Sequence, residues 1–512
     1  MAEQEKFVET IQQGYTFKGA SIDIGGGMLD GKAVPNTLVR LPLKTLNRHG
    51  LIAGATGTGK TKSIQTLSEK LSENGVAVLM MDIKGDFSGI AEPGASNPKI
   101  EERVAAIGTT WTAKGYPVEL MTISEQDGVR LRATVTEFGP VLISKILDLN
   151  DTQESIVAMV FKFCDDQNLA LLDLEDLKKV LQFLNNEGKE TFEKTYGSIS
   201  TASVGTIFRK VIELEQQGAQ LFFGEKSFDV NDLMRKDENG NAFINIVRLT
   251  DIQDKPKLFS TFMLSLLAEV YSKFPERGDV EKPELVIFLD EAHLIFDNAS
   301  SALKDQLEAI IKLIRSKGVG IFFCTQNPND IPESILAQLG LKVQHALRAF
   351  TAKDRQAIKL VAANYPISDF YKVEDLITQL GIGESFVTAL NEKGIPTPLV
   401  HCMMNAPQSR MDVLNADEMK DKISQSKLYE KYGEVINPES AYEILTQRIE
   451  KSVQQQSEET QQVETPTSNK TGKAQKSTLE KVLSSSVTKQ IARTATSTLT
   501  RGLLGALKGM FK

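Results

Sequence analysis

The chain is poor in the residues that staple small or secreted proteins. Among 512 residues there are three cysteines (Cys164, Cys324, Cys402), far apart and without a CxxC pair, and four histidines scattered as widely. This excludes a disulfide framework and a structural zinc site, and a reducing compartment fits best. Tryptophan occurs once, and no run of 18 apolar residues is free of charge, so an ordinary membrane-spanning helix is not expected. The opening MAEQEKFVETIQQGY has neither a basic n-region nor an apolar h-region. A cytoplasmic address without a signal peptide is therefore expected.

What is present matches a folded globular protein: 41% hydrophobic and 25% charged residues, near the averages for that class. The length allows about three domain-sized units. The formal net charge of -8 conceals an asymmetry, because residues 470–512 hold nine Lys or Arg and only Glu480, a local +8 that leaves residues 1–469 with -16.

Residues 1–47 (FKGASIDIGGG, NTLVRLPL) predict a small N-terminal β element. From Gly50 strands and helices alternate: GLIAG, the helical TKSIQTLSEKLSENG, then VAVLMMD. AFINIVRL, a long helix from about Pro256, LVIFLD, a helix near Ala302–Ser316 and VGIFFCTQ continue the pattern. Such alternation predicts an α/β fold with a doubly wound, mainly parallel sheet. Its first part spans 48–123 and its second 235–410. Helical periodicity fills 124–234 and predicts an insertion of domain size. Helices are expected again over 411–451, a disordered linker over 452–478, and an amphipathic basic tail helix over 479–512.

The segment GATGTGKT comprises Gly54, Ala55, Thr56, Gly57, Thr58, Gly59, Lys60 and Thr61. It matches G-x-x-x-x-G-K-[ST] between a strand and a helix, the context in which backbone N–H groups cradle the phosphates of a nucleotide. A nucleoside triphosphate is the expected ligand, with Lys60 reaching the β- and γ-phosphates and Thr61 ligating Mg²⁺. LVIFLDEAH places Asp290 and Glu291 at the carboxyl end of a buried strand, the ligand-binding edge of open α/β sheets. Asp290 suits Mg²⁺ through water, and Glu291 suits a base for the attacking water. VGIFFCTQNP ends in Gln326, whose amide both donates and accepts and so suits a γ-phosphate sensor on a strand lying between the other two. Phosphoryl transfer also calls for a cation beyond Lys60, often an arginine from a neighbour; Arg315, Arg348 and Arg355 are the candidates.

Taken together, RHGLIAGATGTGKT, MMDIKGDFSG, LVIFLDEAH, RSKGVGIFFCTQNP and LGIGESFVTALNEKGIPTPLV resemble the HerA/FtsK superfamily of P-loop ATPases, and most closely its bacterial HerA-like ATPase family, which carries a similar RGLLG tail. The resemblance implies a RecA-like core, assembly into a homohexameric ring with ATP and Mg²⁺ between subunits, and Arg315 offered in trans. It also implies Asp82 and Asp86 beside the site, although each equally suits a turn. Residues 1–47 are shorter than the N-terminal β-barrel of HerA helicases proper.

The expected activity is Mg²⁺-dependent ATP hydrolysis driving translocation on double-stranded DNA. The alternative is a nucleotide-switched ATPase that assembles or remodels proteins. For residues 479–512, nucleic acid, an anionic membrane surface and the protein's own acidic body all remain as partners.

Overall fold

The computed structural model describes residues 2–278, 280–297 and 301–462. The chain divides into two units, Met1–Ile449 and Glu450–Lys512. Of the second, the described part is the end of the helix Ala441–Gln462. That helix continues past residue 451, where a disordered linker was expected. Gln, Glu and Lys are good helix formers, so scarcity of apolar side chains did not preclude a helix there. The rest of the expected linker and the tail helix lie outside the described residues.

Twelve strands form one sheet. In chain order they are β1 Ser21–Leu29, β2 Lys32–Pro42, β3 Gly50–Ala53, β4 Ala77–Asp82, β5 Val118–Thr122 and β6 Val129–Arg130, followed by β7 Ile244–Arg248, β8 Leu285–Leu289, β9 Val319–Thr325, β10 Leu341–Gln344, β11 Glu384–Thr388 and β12 Val400–Met404. Their spatial order is β2-β1-β12-β11-β10-β3-β9-β8-β4-β7-β5-β6. From β10 to β6 every pairing is parallel. From β10 to β2 every pairing is antiparallel. The sheet is thus the mainly parallel one the sequence implies, extended at one edge by the N-terminal hairpin.

The central strands are buried throughout, and side chains two apart share a face. Leu79, Met81, Ile287, Leu289, Ile321 and Phe323 enter one apolar core, while Val78, Met80, Val286, Phe288, Phe322 and Cys324 enter the other. The first core is closed by Pro256–Lys273 and by helices between β6 and β7, among them Asp151–Asp166, Leu174–Asn185 and Thr201–Gln216. Their starts are written locally: Asn150 with Gln153 and Asp173 with Asp176 form reciprocal capping boxes, which satisfy N–H groups that a helix end leaves open. The two-residue β6 falls inside the stretch expected to be helical, too short to show a strand period.

The sequence also hid the helix Ala2–Tyr15, which stands where only β structure was expected. Its apolar positions Phe7, Ile11 and Tyr15 recur every four residues and are fully buried in the second core. Burying such a side chain contributes about 1.5–3 kcal/mol. Tyr15 also donates its hydroxyl to the carbonyl of Pro398 at 2.7 Å. Among the described residues no helix is long and apolar enough to cross a membrane.

Candidate functional site

The loop Gly54–Gly59 connects β3 to the helix Lys60–Glu73. Two of its glycines are required by close approach as well as by backbone angle. Gly54 has φ 153° and a Cβ there would lie 2.5 Å from the His345 Cβ; Gly59 has φ 112° and a Cβ would meet the Gly383 N at 3.0 Å. The loop is clamped from the antiparallel side of the sheet, since Gly383 N donates to Thr58 O at 3.0 Å and His345 N to Ala53 O at 2.7 Å. His345 pairs its Nε2 with Ser63 Oγ at 3.0 Å, and burial pushes its pKa down to about 4, so it packs as a neutral ring. On the other flank Glu69 is buried and accepts from the backbone N of Gln408 and Ser409, which fastens the helix to the segment after β12.

Lys60 is 7% exposed. Its Nζ donates to Gly54 O at 2.5 Å and Ala55 O at 3.2 Å, folded over the loop that it would serve. Burial lowers its pKa, with the nearby Lys84 adding to the effect and Glu291 and Asp290 opposing it. Thr61 Oγ1 donates to Asp86 Oδ2 at 3.3 Å.

Strand order brings the other predicted groups to this loop. β9 lies between β3 and β8, with Ala53 in register with Thr325 and Leu289 with Phe323. The residues that follow, Gln326 and the pair Asp290 and Glu291, therefore emerge at the same edge as the loop. Thr56 Oγ1 donates to Gln326 Oε1 at 3.3 Å, and Gln326 Nε2 donates to Glu291 Oε1 at 3.3 Å. Glu291 adopts φ 45°, an uncommon angle for a residue with a side chain. Its Oε1 also takes the Lys84 ammonium in an ion pair. Burial raises the Glu291 carboxyl's pKa, but Lys84, Gln326 and His293 outweigh it and leave the group below the ordinary range. Asp290 is pushed the other way, to about 6, by burial and then by Glu291 and Asp86, against the pull of Lys84.

The segment after β4 supplies two acids with different duties. Asp82 accepts from the backbone N of Gly85, Asp86 and Phe87, so it shapes the turn. Burial, then Asp86, raises its pKa to about 7. Asp86 reaches Thr61 with one oxygen, while its buried Oδ1 has no hydrogen-bond partner among the described residues. A carboxylate oxygen left bare beside a threonine hydroxyl suits a divalent cation; Thr61, Asp290 and Asp86 are the residues that would hold it.

Arg315 is not at this site within one chain. It is exposed, in the turn Arg315–Lys317 that leads into β9, whereas the phosphate loop follows the far end of the parallel β3. Seven residues of β9 separate the two edges, about 23 Å at the usual strand rise. Arg348 and Arg355 are exposed beyond the end of β10. Sequence reasoning missed Lys84; the signal was DIKGD, a charged loop at the end of a buried strand neighbouring LVIFLDE.

The helicase HerA-like C-terminal family matches residues 28–512. The chain belongs to that family. Among curated relatives, the DNA double-strand break repair helicase HerA of Sulfurisphaera tokodaii is 24% identical over 309 residues, covering 60% of this chain and 56% of its own. The chain thus spans little more than half the length of that HerA relative. Among solved structures, the bacterial conjugative coupling protein TrwBdeltaN70 superposes with a TM-score of 0.51 at 13% identity, covering 79% of this chain and 94% of its own. The plasmid coupling protein TrwB in complex with ADP and Mg²⁺ gives 0.50 at 14% identity, over 79% and 100%. These HerA-like and TrwB likenesses establish the fold as that of RecA-like P-loop ATPases.

Proposed function

We propose that this HerA-like protein binds ATP with Mg²⁺ and hydrolyses it, and that it works as a hexameric motor on double-stranded DNA. The observation that carries the reading is the convergence of Lys60, Thr61, Asp290, Glu291 and Gln326 at the carboxyl ends of the adjacent parallel strands β3, β9 and β8. The loop N–H groups and Lys60 bind the β- and γ-phosphates. Thr61, Asp290 and Asp86 would hold Mg²⁺, which when bound would supply neutralisation of phosphate charge. Glu291 takes the proton of the attacking water, and Gln326, in contact with both Thr56 and Glu291, couples the loop to the base.

The position of Arg315 supports a ring. An arginine on the edge opposite its own phosphate loop serves catalysis by reaching the site of a second copy. The names of the curated relatives favour DNA as the polymer, and the acidic body agrees with this if basic charge is confined to a channel. The alternative is a nucleotide-switched protein-remodelling ATPase, recruited to a membrane surface or acidic partner through 479–512. The deciding experiment is the ATPase rate with and without duplex DNA, single-stranded DNA and RNA. Stimulation by duplex that falls steeply with salt supports the motor. Turnover indifferent to every nucleic acid favours remodelling, and no turnover in any condition overturns the ATPase reading.

A further inference from the structure

The Glu291 carboxylate is asymmetrically held. Its Oε1 carries two partners, the Lys84 ammonium and the Gln326 amide. Its Oε2 is buried and accepts no hydrogen bond among the described residues; the His293 Nδ1 stands 3.4 Å away. A buried carboxylate oxygen without a donor is costly and calls for an explanation. Lys84 comes from a different strand end, the turn that the Asp82 carboxylate ties by its three backbone hydrogen bonds. Its side chain is 36% exposed and that of Glu291 8%, so the ammonium reaches inward from a rigid turn to a nearly enclosed acid.

We propose that Lys84 is a positioning residue for Glu291: together with Gln326 it fixes Oε1, so that Oε2 is the oxygen presented to the attacking water. The inference rests on the ATPase reading above. In the step it serves, the water proton passes to Oε2 as the water oxygen bonds the γ-phosphorus. The bond from that phosphorus to the bridging oxygen breaks, leaving ADP and phosphate. Lys84 touches neither the water nor the phosphorus. It prevents the carboxylate from turning, an effect whose loss is felt in rate because small misplacements of a reacting group cost up to about 100-fold. The Gln326 contact alone is a longer, neutral-donor bond, and charge-assisted bonds are roughly twice as strong as neutral ones.

The test compares full-length wild type, Lys84→Met, Lys84→Arg, Glu291→Gln and the double variant Lys84→Met/Glu291→Gln. Steady-state hydrolysis of Mg·ATP is measured beside affinity for a fluorescent ATP analogue. Lys84→Met is expected to lower kcat roughly 10- to 100-fold with affinity within about twofold, Lys84→Arg to recover most of the loss, and the double variant to be no slower than Glu291→Gln alone. A Lys84→Met enzyme as fast as wild type overturns the inference. So does retained kcat with weakened affinity, which makes Lys84 a phosphate ligand. A Lys84→Arg enzyme no faster than Lys84→Met, or a further tenfold loss in the double variant, overturns it as well. Failure of the ATPase reading looks different: wild type without turnover, or Glu291→Gln at full rate, removes the base that Lys84 is said to position.

Discussion

Thr61 and Asp86 meet side chain to side chain: the hydroxyl donates to Asp86 Oδ2 at 3.3 Å, and the second Asp86 oxygen is buried without a partner. If this pair completes the Mg²⁺ site, Asp86→Ala shifts the Mg²⁺ concentration for half-maximal ATP hydrolysis upward by about tenfold, the scale expected when a metal's supporting residues are removed. Titrating Mg²⁺ at saturating ATP measures it. An unchanged midpoint confines Asp86 to the turn.

Variants at Lys60 and Glu291 test whether binding and chemistry are carried by separate residues. Lys60→Ala is expected to weaken nucleotide affinity and hydrolysis together. Glu291→Gln keeps its affinity and loses turnover by about 10²- to 10⁴-fold, the usual contribution of a positioned base. Equilibrium binding and steady-state kinetics on the same preparations distinguish the two, and normal turnover in Glu291→Gln removes the assigned base.

Arg315 carries the prediction about assembly. Arg315→Ala retains ATP binding and loses hydrolysis by roughly 10³-fold or more, the scale of an arginine supplied in trans. Mixing it with Lys60→Ala then restores part of the activity, because some interfaces combine an intact loop with an intact arginine. Full activity in Arg315→Ala transfers the role to Arg348 or Arg355.

A pH effect on stability is expected away from the nucleotide. Glu269 lines a cavity of about 20 Å³ beside Phe222 and Phe262. Burial, then Glu137, pushes its pKa up to about 7 from the ordinary 4.5. Below 4.5 it is protonated in both folded and unfolded chains and costs nothing. Between there and about pH 7 the unfolded chain ionises first, so folding stability falls as pH rises. Glu269→Gln removes that slope, with no gain near pH 4 and a gain of roughly 1–2 kcal/mol at pH 8, because solvent screens this partly exposed group. Thermal unfolding at the two pH values checks it, and equal gains at both point to packing instead.

Most of the parallel sheet was legible because its strands are short apolar runs ending in chemistry-bearing residues, as in LVIFLDE and VGIFFCTQ. The expected place of the Gln326 strand between the other two is the one β9 takes, between β3 and β8. Three features were illegible for separate reasons. Helix Ala2–Tyr15 offers only three core positions in fourteen residues, below what periodicity detects. β6 is two residues long. The Lys84 to Glu291 pair joins positions 207 apart in sequence, and only the adjacency of β4 and β8 brings them together. The division of labour between Asp82 and Asp86 likewise appeared only once hydrogen bonds fixed which acid ties the turn.

The helices between β6 and β7 share one continuous apolar core with a face of the sheet. That stretch therefore cannot be excised as an independent module. Deleting it would strip cover from Leu79, which lines a common cavity with Leu131, Phe222, Phe228 and Val230, and the truncated chain would aggregate instead of presenting a minimal motor. A protease that cuts in its loops should leave a nicked protein whose fragments stay together until denaturant separates them.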